Sequence, residues 1–377
     1  MATPKLRFPA FEEKWNKQRL DSFLERVSNP IDVIPNKKYS QIGIRSHGKG
    51  IFHKEAVTGE ELGNKRVFWV EPNALVVNIV FAWERAIAVT SDAEKGMIAS
   101  HRFPMYLPKN NLSNVNFLRY LFVTDKGQSY LELASPGGAG RNKTLGQSNF
   151  SELKIDLPSL EEQTKIATFL STVDEKISQL SQKLHLLGQY KQGMMQKLFS
   201  QQIRFKADDG SEFGDWEILK FKDVITIKYG KDHKKLKDGD IPVLGTGGIM
   251  RYVDSYLYDG ESILIGRKGT IDKPQFISGK FWTVDTLFYT EIGEKIRPKF
   301  AFQQLLLVNW LNLNEATGVP SLNTTSIGNI ELKVPCLAEQ TKIANVLSAI
   351  DQKIEVVSKQ IEQAKQWKKG LLQQMFI

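Results

Sequence analysis

The side chains of this chain best suited to chemistry are basic, aromatic and amide groups in short clusters on expected loops. In the first half they are Lys38 and Tyr39, Arg45, His47 and Lys49, Lys54, Trp83 and Arg85, His101 and Arg102, and Arg141 with Lys143. In the second half they are Tyr229, Lys231, Lys234 and Lys235, Arg251 and Tyr252, Arg267 and Lys268, and Asn323. Arginine and lysine donate to phosphates and to guanine edges, and asparagine suits adenine, so the chemistry on offer is non-covalent recognition of a polyanion. For any one cluster a solvated basic face is the competing reading. Matching clusters in both halves of the chain shift the balance toward binding.

Covalent chemistry finds no comparable support. His47, His53, His101, His185 and His233 lack zinc spacing, and the one cysteine, Cys336, cannot complete a metal set. Gly137-Gly-Ala-Gly-Arg-Asn-Lys-Thr144 lacks the Gly-Lys-Ser/Thr of a phosphate loop. Gly245-Thr-Gly-Gly248 lacks the third glycine and strand–helix context of a dinucleotide site. Both read as turns. No Pro-Pro pair exists to form the Asn/Asp-Pro-Pro-aromatic tetrad of an adenine methyltransferase, and no carboxylate cluster has nuclease or ATPase spacing. The sequence therefore predicts no catalytic residue, no metal and no cofactor.

Composition sets the frame. The chain has 377 residues, 41% hydrophobic and 25% charged, which suits a folded protein of two or three domains. A net charge of +9 and a pI near 9.3 attract polyanions without identifying one. A single cysteine fits a reducing compartment, and the N-terminus lacks a signal peptide's apolar core. Apolar runs such as Leu75–Trp83 and Leu305–Trp310 are too short to span a bilayer. The expectation is a cytoplasmic protein with no membrane partner.

The elements that must position these clusters are two copies of one helix. Pro158-Ser-Leu-Glu-Glu-Gln-Thr-Lys-Ile-Ala167 returns as Pro335-Cys-Leu-Ala-Glu-Gln-Thr-Lys-Ile-Ala344. Gln163 and Gln340, Asp174 and Asp351, Gly193 and Gly370, and Phe199 and Phe376 all stand 177 residues apart, without a gap. One long-range repeat with unlike sequence between is a duplicated frame carrying two diverged inserts, not a solenoid. Both copies carry a 4-3 apolar seam, with Ile166, Leu170, Ile177 and Leu184 in the first and Ile343, Leu347, Ile354 and Ile361 in the second. Two matched seams are satisfied by pairing antiparallel about a pseudo-two-fold axis, each helix making a rod of roughly 60 Å. Ser159 and Glu162 form an expected capping box on the first copy, and Cys336 takes the cap position of the second. Lys191 and Lys368 fall on the seam, where a lysine either fixes register or snorkels to water; the second reading is preferred.

The expected organisation is α+β: compact α/β inserts at 1–157 and 203–334, helices at 158–202 and 335–377. Each insert opens on a similar tryptophan segment, with Trp15 and Leu20 in one and Trp216, Leu219 and Phe221 in the other. Residues 66–70, 75–81, 240–245, 262–266, 281–283 and 287–290 read as strands, and 114–123 and 300–311 as helices. The second insert reads as the more plainly β of the two.

Put together, the paired helix motifs, the segment Tyr39–Glu55, Asn78–Arg85, and Ile263-Leu-Ile-Gly-Arg-Lys-Gly269 with Asp285-Thr-Leu resemble the specificity subunit of type I restriction–modification systems. The likeness spans essentially the whole chain; Cys336 and Ala338 depart between the two motif copies. The resemblance implies a non-catalytic subunit with two target recognition domains, each reading half of a bipartite, asymmetric site on double-stranded DNA. It implies that the two long helices space the domains and dock two modification (methyltransferase) subunits, through which restriction subunits join. Any S-adenosylmethionine or ATP would belong to those partners. Two other readings stand beside it: a free-standing coiled-coil DNA-binding regulator, and a scaffold or decoy for methyltransferase subunits.

Overall fold

The two long helices, α6 at Leu160–Phe199 and α10 at Leu337–Met375, are each continuous. The structure is a computed structural model and describes residues 4–137 and 143–376. The chain divides into two units, Met1–Leu180 with Gln360–Ile377 and Ser181–Lys359. Each unit therefore holds one insert, the near half of one long helix and the far half of the other. The N-terminal half of each helix meets the C-terminal half of its copy, as antiparallel helices do.

In the first unit the chain runs β1 (Asn16–Arg19), α1 (Leu20–Phe23), β2 (Leu24–Val27), β3 (Lys38–Ile44), β4 (Ile51–Thr58), α2 (Gly59–Leu62) and β5 (Val67–Trp69). It continues through β6 (Leu75–Val77), β7 (Ile87–Val89), β8 (Ile98–Ser100), β9 (Met105–Pro108), α3 (Val115–Phe122), α4 (Asp125–Leu133), α5 (Gln147–Glu152) and β10 (Lys154–Leu157). In the second the order is β11 (Glu217–Lys220), α7 (Phe221–Val224), β12 (Ile225–Tyr229), β13 (Ile241–Gly245), β14 (Gly248–Val253), β15 (Tyr258–Asp259) and β16 (Ser262–Gly266). Then follow β17 (Gln275–Ile277), β18 (Lys280–Thr283), β19 (Leu287–Ile292), α8 (Pro298–Leu305), α9 (Thr324–Gly328) and β20 (Glu331–Val334).

Strand pairing repeats element for element. β1 pairs with β10 and β11 with β20; one sheet has the order β2-β9-β6-β7, its counterpart β12-β19-β16-β17; the other has β4-β3-β8-β5, its counterpart β14-β13-β18-β15. Even the parallel contact between β3 and β8 recurs between β13 and β18. The first insert thus carries as many strands as the second over a longer and more helical segment, so the second remains the more plainly β of the two. The strands of the first are short, and runs such as Ile87–Val89 carry too few residues to show alternation. The helix expected over 300–311 ends at Leu305, and a separate 3-10 turn follows at Trp310–Leu313.

One core in each unit joins insert to helices. In the first, Trp15, Phe117, Leu118 and Tyr120 pack with Ile166, Leu170 and Val173 of α6 and with Leu371, Met375 and Phe376 of α10. In the second, Phe221, Phe300 and Leu305 pack with Ile343, Leu347 and Ile350 of α10 and with Met195, Leu198 and Phe199 of α6. Ile177 and Ile354 lie against these cores, Leu184 is half-buried and Ile361 is buried. Among the described residues no helix is long and apolar enough to cross a membrane.

The repeated Glu-Gln of the helix motif explains the join. Glu162 and Glu339 are fully buried and receive Arg7 and Arg204: Arg7 donates from Nε at 2.7 Å and Nη2 at 2.8 Å, Arg204 at 3.1 and 2.8 Å. Gln163 Oε1 accepts the Asn114 N–H at 2.8 Å, while its amide donates to Pro158 O and Leu112 O. Gln340 does the same with the Arg297 N–H at 2.7 Å, Pro335 O and Lys295 O. Both glutamines occupy the start of the insert's main helix, where backbone N–H groups lack partners. The capping box forms only by half. Ser159 Oγ accepts the Glu162 N–H at 3.3 Å, but the Glu162 carboxylate is taken by Arg7 instead of the cap.

The seam lysines are paired. Lys191 Nζ lies 2.6 Å from Asp351, and Lys368 is bonded to Asp174, the equivalent pair in the other unit. Each aspartate also accepts from its insert: Tyr120 Oη donates to Asp174 at 2.7 Å, and Gln303 Nε2 to Asp351 at 2.7 Å. The snorkelling preferred from sequence is replaced by a cross-helix ion pair, because the antiparallel partner presents a carboxylate at the matching level.

Candidate nucleic-acid interface

Three connections carry most of the singled-out residues in the first unit. The β3–β4 hairpin tip holds Arg45, His47 and Lys49, the β6–β7 connection holds Trp83 and Arg85, and the β8–β9 connection holds His101 and Arg102. They are tied by backbone hydrogen bonds: His47 N–H to Glu84 O at 2.7 Å, Gly48 N–H to Arg85 O at 2.9 Å, and Ile79 N–H to Arg102 O at 3.0 Å. His47 and Gly48 both adopt left-handed backbone, φ 60° and 64°, which turns the tip back on the 3-10 turn at Ala82–Glu84. Ser46 Oγ donates to Glu84 at 2.7 Å and fixes the same contact. The Arg45 guanidinium lies over Phe52 at 4.9 Å and the Lys143 ammonium near the Trp83 ring at 5.9 Å. His47, Lys49, His101 and Arg102 stay exposed beside them.

The remaining residues of this half fall elsewhere. Lys38 and Lys54 are exposed along β3 and β4. His53 Nε2 meets Glu94 Oε1 at 2.8 Å; burial would raise that carboxyl, but bonds from Ser91 and His53 outweigh it and hold Glu94 below its ordinary range. Two assignments change. Tyr39 is only 3% exposed, packs on Trp69 and accepts the Ile34 N–H through its hydroxyl, because its place in β3 points it into the core. Arg85 is half-buried and spends its donors within the fold, on Gln128 at 2.8 Å, Val123 O at 3.0 Å and Asp125 at 2.6 Å. It positions the Trp83 turn against α4. Arg141 lies outside the described residues.

The second unit assembles the equivalent connections. Arg267 and Lys268 follow β16, and both their N–H groups donate to Thr286 O in the β18–β19 connection, at 2.8 and 3.2 Å. Gln275 Nε2 donates to Gly245 O and Thr246 O at the β13–β14 tip. The Arg267 guanidinium lies 5.4 Å over the exposed Tyr229 ring, a cation on an aromatic face. Asn323 caps α9 by accepting the Ser326 N–H at 2.7 Å, so its carbonyl is committed to the fold. Lys231, Lys234, Lys235 and Tyr252 are exposed, and Arg251 bonds to Leu236 O and Asp238.

A cleft of about 760 Å³ opens here between Asp232–Lys234, the Gly245–Met250 tip and Val284–Thr286. Sequence reasoning named Lys234 but missed Thr246, Met250 and Asp285 as its neighbours, since they are separated along the chain and none is basic. Among the described residues no group of His, Cys, Asp and Glu gathers to hold a metal ion.

A family model described as the type I restriction modification DNA specificity domain matches residues 72–187 and 214–366. The type I restriction enzyme MjaVIII specificity subunit of Methanocaldococcus jannaschii is 30% identical over 97% of this chain and 92% of its own length. Among solved structures, the type I restriction–modification S subunit from M. genitalium superposes with a TM-score of 0.69 at 17% identity, over 100% of this chain and 99% of the other. A chain from work on complex assembly of the type I R-M system gives 0.54 at 15% identity, over 97% and 98%. At such identities the two solved structures speak to the fold alone.

Proposed function

We propose that this chain, which belongs to the type I restriction–modification DNA specificity family, reads double-stranded DNA with two recognition domains, residues 1–157 and 203–334, one half-site each. It is a specificity subunit, a recognition chain and not a catalytic one. The observation that carries the two-reader reading is the duplication of one ten-strand topology with different side chains on equivalent connections. Equal scaffolds offer equal poses to DNA, while unlike tips, Arg45–Gly50 against Thr246–Gly247, ask for unlike bases. The half-sites then differ and the full site is not palindromic.

The helices, residues 158–202 and 335–377, serve in this reading as the spacer between readers and as the dock for two modification subunits. Restriction subunits join through the complex, and the assembly works in the cytoplasm. The symmetric pairs Lys191–Asp351 and Lys368–Asp174 support a helix pair held in one register. DNA contacts fall in this proposal to His47, Lys49, His101, Arg102, Tyr229, Lys234, Arg267 and Lys268, which share the connected tips.

The test is assembly followed by binding. Co-expression with its methyltransferase should give a stable complex that shifts duplex DNA, with an affinity falling steeply as salt rises. A chain that binds its site tightly without any methyltransferase would favour the free-standing regulator. One that assembles yet ignores DNA would favour the scaffold.

A further inference from the structure

The cleft of the second unit holds two side chains that recognition of phosphate does not call for. Ile249 and Met250 line it at the start of β14 and are 56% and 60% exposed. Lone exposed aliphatics are common on protein surfaces, but these two sit side by side at the start of a hairpin's second strand, in a cleft also lined by His233, Lys234 and Thr246. Met250 folds back over the end of β13: a Cβ at Gly245 would meet its Sδ at 2.8 Å. The tip itself, Gly247, has open space around it, so a ligand can approach the backbone closely. Around this apolar strip stand exposed cations, Lys231 and Lys234 from the β12–β13 connection and Lys268 beyond β16, which outnumber the carboxylates of the lining, Asp232 and Asp285. The surroundings suit a polyanion, and the centre suits an apolar group presented by it.

The major groove offers one apolar group, the C5 methyl of thymine. We propose that Met250, flanked by Ile249, is a specificity-determining residue that takes the thymine methyl of an A·T pair in the half-site read by residues 203–334. The inference rests on the proposed function, since it requires this unit to face DNA. It also predicts a contrast between units. The equivalent strand start in the first unit carries Ile51 and Phe52, both half-buried and the second covered by the Arg45 guanidinium, and makes no such contact.

The test removes the methyl and nothing else. The assembled complex with its modification subunits is titrated with duplexes in which each thymine of the methylated motif is replaced, one at a time, by deoxyuridine. One position in the half-site assigned to residues 203–334 should bind about four-fold more weakly, the ~0.8 kcal/mol of one buried methyl group. In Met250→Ser that ratio should fall to about one, with the rest of the motif still discriminated. Because Met250 is exposed, the variant keeps its fold, which discrimination at the other half-site verifies. Equal binding of thymine and deoxyuridine at every position of that half-site, or an unchanged ratio in Met250→Ser, overturns the assignment. Loss of the underlying reading looks different: the wild-type complex would then show no preference for its motif at all.

Discussion

Replacing Glu339 by Gln tests how the inserts are fastened to the helices. Glu339 has no solvent exposure and accepts three hydrogen bonds, from Arg204 Nε at 3.1 Å, Arg204 Nη2 at 2.8 Å and Trp216 Nε1 at 3.0 Å. The amide removes the charge and turns a donor toward the guanidinium. Breaking a buried pair from one side costs about 3–5 kcal/mol, and Arg204, about one-fifth exposed, can recover some hydration, so the expected loss is ~3 kcal/mol. Against a typical domain stability of about 5–15 kcal/mol this is a large fraction. Native-state hydrogen exchange reads it locally: amides of β11 and β20 should lose protection by that amount while those of β1 and β10 stay as they are. The equivalent tryptophans supply the control. Trp216 donates to the carboxylate, whereas the Trp15 Nε1 is buried with no partner among the described residues. Trp216→Phe should therefore cost roughly 1.5–3 kcal/mol and Trp15→Phe less than ~1 kcal/mol. A Glu339→Gln effect below ~1 kcal/mol, or equal costs for the two tryptophans, would refute the reasoning.

Three other outcomes follow from particular contacts. Reversing Lys191 and Asp351 together should restore most of what each single reversal loses, with a coupling of about 1 kcal/mol because Asp351 is 37% exposed; zero coupling in a double-mutant cycle contradicts a register pair. Tyr106 and Tyr120 are each pushed up to about 12, by burial first. Raised folded values mean that their contribution to stability is complete below the unfolded value near 10 and is lost as pH rises toward 12. Absorbance titration should show both ionising late, and early ionisation of the two would contradict their burial. Adding four residues to α6 near Ser181 lengthens the helix by ~6 Å. In the spacer proposal the unread gap then grows by ~1–2 base pairs at ~3.4 Å each, and an unchanged gap on methylation-site sequencing counts against it.

The frame was legible because helix periodicity repeats over many turns. Ile166 through Ile177 and Ile343 through Ile354 each mark a stripe that the cores do bury or border. The helix expected over 114–123 is α3, and the structure shows Asn114 capping it by accepting the Asn116 and Phe117 N–H groups. The strands were read unevenly. Ser262–Gly266 is a continuous apolar strand and was plain, while two- to four-residue strands such as Tyr258–Asp259 carry no period. Side-chain roles were the least readable. Tyr39 and Arg85 looked like ligand-facing residues because aromatic and basic types clustered on expected loops often are. Their actual partners, Trp69 and Gln128, lie about 30 and 43 residues away, and only the sheet and α4 bring them near. Glu162 and Gln163 were visible as a repeated motif, yet their bonding to Arg7 and the Asn114 N–H needs long-range geometry.

The most direct measurement of the central claim exchanges one reader. Residues 203–334 are replaced by the corresponding segment of another family member, and methylated sites are sequenced for the parent and hybrid complexes. The two-reader account predicts that one half-site changes and the other, with the methylated position it contains, does not. A hybrid whose two half-sites both change, or neither, contradicts it.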